Sequence, residues 1–169
     1  TLERDPSGIT REYVEKTLLS FTGTIEQRPP MYSALKYQGE RLYKLARAGI
    51  QIQLPTRTVQ VHRLEFLNWD PPFFTVQVEC GRGVYMRSLV HDLGETLECG
   101  AHLDSLIRLS TGPFLVEKSV SVQQLQLAAH EGSWRSLLEP LDVVLTYMKP
   151  IQVDSRAEQT LRHGQPVPL

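Results

Sequence analysis

Between Arg28 and Arg63 the chain sets seven cations, Arg28, Lys36, Arg41, Lys44, Arg47, Arg57 and Arg63, against one acid, Glu40, a local formal charge of +6. Tyr32, Tyr37 and Tyr43 are interleaved with them. Clustered cations of this kind hold phosphates, because salt screening confines charge effects to roughly 8–10 Å. Aromatic faces beside them stack unpaired bases. The window therefore points to nucleic-acid chemistry, although a solvated basic face with core tyrosines has the same composition. The rest of the chain carries eleven cations against eighteen acids, so the 169 residues sum to −1. That near-neutral total is an average over two opposed regions.

Other site chemistries find little support. Cys99-Gly-Ala-His102 has half the spacing of a zinc site, but no second ligand pair follows, and His62, His91, His130 and His163 stand singly, so no metal is expected. Cys80 and Cys99 are expected as reduced thiols, since a chain of this size does not need a disulfide. Asp92, Glu95 and Glu98 form a possible acid set, yet their helical spacing beside Leu93 and Leu97 reads more simply as a solvated face. There is no Gly-x-Ser-x-Gly, no phosphate loop and no dinucleotide fingerprint, and Gly81-Arg-Gly83 is too short for either glycine motif. A hydrophobic fraction of 41% with 22% charge is globular rather than disordered. No apolar run reaches the roughly 18 residues of a membrane span. Thr1-Leu-Glu-Arg-Asp-Pro6 lacks the pattern of a signal peptide, and both ends read as cut rather than natural.

The elements that must carry the basic window follow from periodicity. Val14, Leu18 and Phe21 predict a helix over 10–21, capped by Thr10, stapled by Ile9 and Val14, and ended by Gly23. Pro29-Pro30 imposes extended chain, Tyr37-Gln-Gly-Glu40 a turn, and Leu42, Leu45 and Ala46 a short helix stopped by Gly49. Alternation over 57–67, with one bulge, and over 74–80 predicts an antiparallel pair joined at Asp70-Pro-Pro72. Met86, Leu89, Val90, Leu93 and Leu97 predict a helix; Gly94 within it costs roughly 1 kcal/mol against alanine, which implies close packing. A strand is predicted over 101–111. Ser121-Val-Gln-Gln124 is a capping box for a helix to about 130, a further helix is expected near Pro140, and Ser155 is expected to cap a last one to about 163. The class is α+β, with a mixed, largely antiparallel sheet flanked by helices.

Three stretches then resemble one family. Arg28-Pro-Pro-Met-Tyr-Ser-Ala-Leu-Lys-Tyr-Gln-Gly-Glu-Arg-Leu-Tyr43, Gly83-Val-Tyr-Met-Arg-Ser-Leu-Val-His-Asp-Leu-Gly94 and Gly100-Ala-His-Leu-Asp-Ser-Leu-Ile-Arg-Leu109 are similar, in order and spacing, to the bacterial TruB family of tRNA pseudouridine-55 synthases. The resemblance runs over roughly 10–148. It implies isomerisation of one T-loop uridine of tRNA, with no cofactor and no metal, by a nucleophilic Asp in a Gly-x-Leu-Asp-Pro type motif. That motif lies, in the family, ahead of the matched stretches. Asp5-Pro6 does not match it, since Arg4 stands where Leu would be, so this chain reads as a fragment without the nucleophile and inactive alone.

The resemblance implies that Arg87 pairs with the nucleophilic Asp. A carboxylate in a closed base pocket is neutralised by desolvation unless a cation holds it ionised, and arginine stays charged with a planar fork. Arg87 falls in the first turn of its helix, where the dipole gives a cation nothing. Tyr85 is expected beside it, Leu106 under the flipped base, and Arg108 near the same site or a phosphate. Residues 28–57 match an inserted, mobile element that closes on the T-loop. Lys36, Arg41 and Lys44 are its expected phosphate contacts and Tyr32 its support. The division expected is 1–148, the later part of a catalytic domain, and 149–169, the start of a PUA-like RNA-binding domain. The partner expected is the T-arm of tRNA, with no membrane, for a cytoplasmic monomer. The alternatives are a non-catalytic tRNA-binding or folding module, a drifted α+β domain without RNA, and a guide-RNA-dependent relative.

Overall fold

A computed structural model describes residues 5–167. Its contacts divide the chain into two units, Thr1–Leu106 and Ile107–Leu169. In the first, helix α1 (Arg11–Leu18) starts where Thr10 Oγ1 accepts the Tyr13 N–H at 3.2 Å, as expected of an N-cap. A 3-10 turn, Leu19–Phe21, follows. Gly23 does not simply end the helix: it opens strand β1 (Gly23–Gln27), which was not expected. Its φ of +95° is a conformation glycine adopts without a Cβ penalty.

Between this strand and the next long one come a hairpin, β2 (Lys36–Tyr37) and β3 (Glu40–Arg41), and helix α2 (Leu42–Arg47). Gln38 and Gly39 both have positive φ, as a two-residue hairpin loop requires. Leu42 and Leu54 are buried and anchor the segment. Strand β4 (Arg57–Asp70) then pairs antiparallel with β1 and with β5 (Phe73–Cys80), in the order β1-β4-β5. The expected pair is present, with two register shifts instead of one, at Val61/Arg63 and Phe66/Asn68. The second has a packing reason. Strict alternation would send Phe66 and Trp69 to opposite faces; the shift leaves Leu67 exposed and lets both rings join Phe74, with centroids 6.2–6.4 Å apart. These rings pack on Val14 and Leu18 of α1 and on Leu93 and Leu97, which form the buried core.

Leu93 belongs to helix α3 (Met86–Thr96), the expected helix trimmed by a residue at each end. Gly94 is closely packed, as the sequence implied. A Cβ there would lie 2.0 Å from Ala101 N and 2.4 Å from the Gly100 carbonyl carbon. The chain folds back here, with Gly100 N–H donating to Gly94 C=O at 2.9 Å.

The strand expected over 101–111 is corrected. Only Ser110–Thr111 (β6) is a strand, and it pairs with Phe114–Leu115 (β7). A strand needs a neighbour for its N–H and C=O groups, and among the described residues none pairs with 101–109. In the second unit, α4 (Val122–Glu131) carries the full capping box, with Ser121 and Gln124 bonding reciprocally. The turn near Pro140 is 3-10, Leu141–Leu145. Helix α5 (Ser155–Arg162) is capped one residue earlier than expected: Asp154 Oδ1 accepts the Ala157 N–H at 2.7 Å.

Candidate active-site and RNA-binding residues

The N-terminal end of α3 is bound to the end of β1 by a set of side-chain to main-chain bonds. Gln27, the last residue of β1, is 2% exposed. Its Oε1 accepts the Tyr85 N–H at 2.7 Å, and its Nε2 donates to the Tyr85 C=O at 3.1 Å. Ser88 Oγ donates to the Arg28 C=O at 2.7 Å. The Arg87 guanidinium donates to the Tyr32 C=O. Tyr85 and Arg87, two of the expected site residues, are thus brought together at one helix start and tied to residues 27–32. Gln27 and Ser88 escaped the sequence reading. The available signal was Gly23, Ile25 and Gln27 alternating with Thr24 and Glu26, with an amide where an apolar inward residue is usual.

Beside these bonds lies an open cleft of about 470 Å³, lined by Arg28, Arg87 and His91 together with Glu26, Asp92 and Pro30. Asp92 is half-buried, so the solvated-face reading fails for it, while Glu95 and Glu98 are exposed. Burial pushes the Asp92 carboxyl above its ordinary value; His91 and Arg28 oppose that by favouring the charge. Ionised Asp92 therefore costs stability above the carboxylate range, and the cost is relieved as pH falls through the raised folded-state pKa. Asp92→Asn is expected to raise the urea midpoint at neutral pH, with the gain shrinking toward zero in acid. A gain of equal size at both pH values would contradict this assignment.

The expected phosphate contacts sit on one small hairpin–helix unit. Lys36 and Arg41 are direct cross-strand partners, both exposed. Like charges in that relation repel, and a phosphate between them would remove the repulsion. Lys44, on α2, approaches Glu40 at 3.9 Å, but both are mostly exposed and such a pair is worth little. Tyr32 is exposed, and Arg47 lies over the Tyr43 ring at 5.6 Å. Leu106 closes the first unit with its side chain exposed. Arg108 belongs to the second, where its Nη1 donates to Thr111 Oγ1 at 3.4 Å. Among the described residues no helix is long and apolar enough to cross a membrane, and no group of three or more His, Cys, Asp or Glu is placed to hold a metal.

The fold defines a class first. It matches a chain in the crystal structure of a Cbf5-Nop10-Gar1 complex with a TM-score of 0.72 and 24% identity, over 92% of this chain and 45% of that one. It also matches a chain of an H/ACA RNP bound to a substrate RNA containing 2'-deoxyuridine, with a TM-score of 0.60 and 22% identity, over 80% of this chain and 37% of that one. At those identities the likeness establishes the α+β architecture.

The sequence is more specific. Residues 1–86 match the TruB family pseudouridylate synthase N-terminal domain, and residues 87–146 match the tRNA pseudouridylate synthase B C-terminal domain; the chain belongs to the TruB family. It is 40% identical over 161 residues to tRNA pseudouridine synthase B of Dehalococcoides mccartyi strain CBDB1, and 42% identical over 168 residues to that of Pseudomonas aeruginosa strain UCBPP-PA14. These alignments cover 95% and 98% of this chain but 54% and 55% of the relatives. The chain spans about half the length of the curated relatives it matches.

Proposed function

We propose that this chain supplies the arginine-bearing side of the active site, and the RNA grip, of a synthase that isomerises the T-loop uridine of tRNA to pseudouridine. The observation that carries this reading is the tie from Arg87 to Tyr32. It links the start of α3 to the segment that continues into the hairpin of Lys36 and Arg41. The nucleophilic aspartate is contributed by sequence outside these 169 residues, within the part of the relatives that the chain does not span.

The chemistry follows from the substrate. A stacked uridine hides its glycosidic bond, so the nucleotide is flipped out before it reacts. The bond from the ribose carbon to the base nitrogen breaks, and charge develops on the sugar as the base departs, assisted by the aspartate. The base turns and a carbon–carbon bond forms. The proton on that carbon leaves, and the released nitrogen ends protonated. No electrons are exchanged, so the isomerisation as written needs no redox cofactor. Arg87 uses one N–H on the Tyr32 carbonyl, and the rest of its fork faces an exposed side from which a carboxylate can be held ionised. Tyr85 packs beside it, Leu106 lies under the flipped base, and Arg108 serves the RNA backbone. Lys36, Arg41 and Lys44 hold T-arm phosphates, with Tyr32 supporting the loop. The full-length protein acts as a cytoplasmic monomer on tRNA.

The test uses the chain and the full-length protein side by side with T-arm RNA. The full-length protein forms pseudouridine and the 169-residue chain alone does not. Binding by the full-length protein weakens steeply with salt, and replacing both Lys36 and Arg41 with alanine lowers the slope of log affinity against log salt by roughly 1 to 2. Turnover by the chain alone, or binding indifferent to salt, overturns the assignment. Salt-dependent binding by a full-length protein that forms no pseudouridine would replace the enzyme with a non-catalytic tRNA-binding module.

A further inference from the structure

We propose that Gln27 is a positioning residue for the reaction: its buried carboxamide fixes the main chain of Tyr85 and so sets where Tyr85 and Arg87 point. This rests on the function proposed above and adds a residue to it. Gln27 already has its place in the sheet, opposite Arg57 on β4, so its side chain is not needed to complete that pairing. The carboxamide instead reaches 58 residues along the chain and grips one residue twice, accepting from its N–H and donating to its C=O.

The geometry selects the side chain. A glutamine amide offers a donor and an acceptor in one plane, side by side on one carbon at that reach, as a main-chain N–H and C=O of one residue require. Glutamate presents a second acceptor to the Tyr85 carbonyl, and an apolar residue of the same length leaves the half-buried Tyr85 N–H without its partner and takes one of two donors from the Tyr85 carbonyl. Tyr85 is the residue just before α3 and has no capping bond from its own side chain. Its carbonyl also accepts the Leu89 N–H at 3.0 Å, the first bond of the helix. The peptide planes held by Gln27 are therefore those that launch α3, and Arg87 projects two residues further on. Ser88, bonded to the Arg28 carbonyl, repeats the tie one residue along β1's exit. Catalytic groups need placement within about 0.5 Å, and a displacement of about 1 Å can cost roughly 100-fold in rate.

The experiment compares Gln27→Met and Gln27→Glu with wild type in the full-length protein. Single-turnover pseudouridine formation is measured at saturating enzyme, alongside the dissociation constant for T-arm RNA and the melting temperature. The single-turnover rate of Gln27→Met is expected to fall about 10- to 100-fold while RNA affinity stays within about threefold. Gln27→Glu keeps the shape and the acceptor and is expected to fall between the two. Hydrogen exchange at the Tyr85 amide should quicken in Gln27→Met, which lacks the acceptor, and stay nearer wild type in Gln27→Glu, which keeps it, with Leu93 unchanged in both. A purely structural role would lower the melting temperature and the active fraction but leave the rate at saturating enzyme where it was. A wild-type rate in Gln27→Met overturns the inference; should that variant not fold, a wild-type rate in Gln27→Glu does so. A wild-type protein that forms no pseudouridine overturns the proposed function instead, and the two failures are told apart by that control.

Discussion

Replacing Arg87 with alanine in the full-length protein lowers the rate of pseudouridine formation by roughly 10²- to 10³-fold, the usual consequence of deleting a charge that acts directly on a reacting group. The side chain is exposed and donates to the Tyr32 carbonyl, a main-chain group that water can also serve, so the fold has little to lose. Unfolding midpoints of variant and wild type should therefore nearly coincide, while the rates separate. Lysine at position 87 should restore little. It keeps the charge but not the planar fork that can hold a carbonyl and a carboxylate together. Activity within a few-fold of wild type in Arg87→Ala would remove Arg87 from the site.

Gly94→Ala is expected to destabilise the chain by about 3 kcal/mol, the upper end of ordinary overpacking costs. The sign is what makes the result informative. In an exposed helix interior the same change stabilises by roughly 0.8–1.0 kcal/mol. Here the added carbon would meet the main chain of Gly100 and Ala101 at 2.0–2.4 Å, and main chain cannot swing aside as a side-chain tip can. Urea unfolding of the chain checks it. A midpoint at or above wild type would mean that residues 97–101 shift as a piece and that the close approach is not required.

The helices were legible where caps and stripes agree. Thr10 with Val14 and Leu18 fixed α1, and the reciprocal Ser121–Gln124 box fixed α4. The Gly94 contact was legible because a glycine inside an apolar helix needs a reason. Strand β1 was hidden because its most buried inward residue is an amide, and hydrophobic period cannot distinguish that from a loop. The segment 101–109 failed in the opposite way. Its pattern suits a strand, but pairing depends on a partner, and periodicity says nothing of partners. The second shift in β4 was illegible because it is set by how Phe66 and Trp69 pack with Phe74 across the sheet. At the site, Arg87 and Tyr85 came from motif resemblance. The Gln27 clamp is a contact between residues 58 apart and is visible only in three dimensions.

The pairing of Gln27 with Arg57 has a consequence for how such a protein can vary. The chain leaves the sheet at one rung and returns at the same rung, so the whole excursion is a closed loop with adjoining ends. Changing the length of such a loop costs little, about 0.6 kcal/mol for each doubling, and leaves the core of Val14, Leu18, Leu93 and Leu97 untouched. The excursion can therefore change length, like a tool head on a fixed shank, with the sheet and the core left in place. What must stay constant is the collar: Gln27 and Arg28 at the exit, Tyr32 just beyond, and the first turn of α3 that they grip.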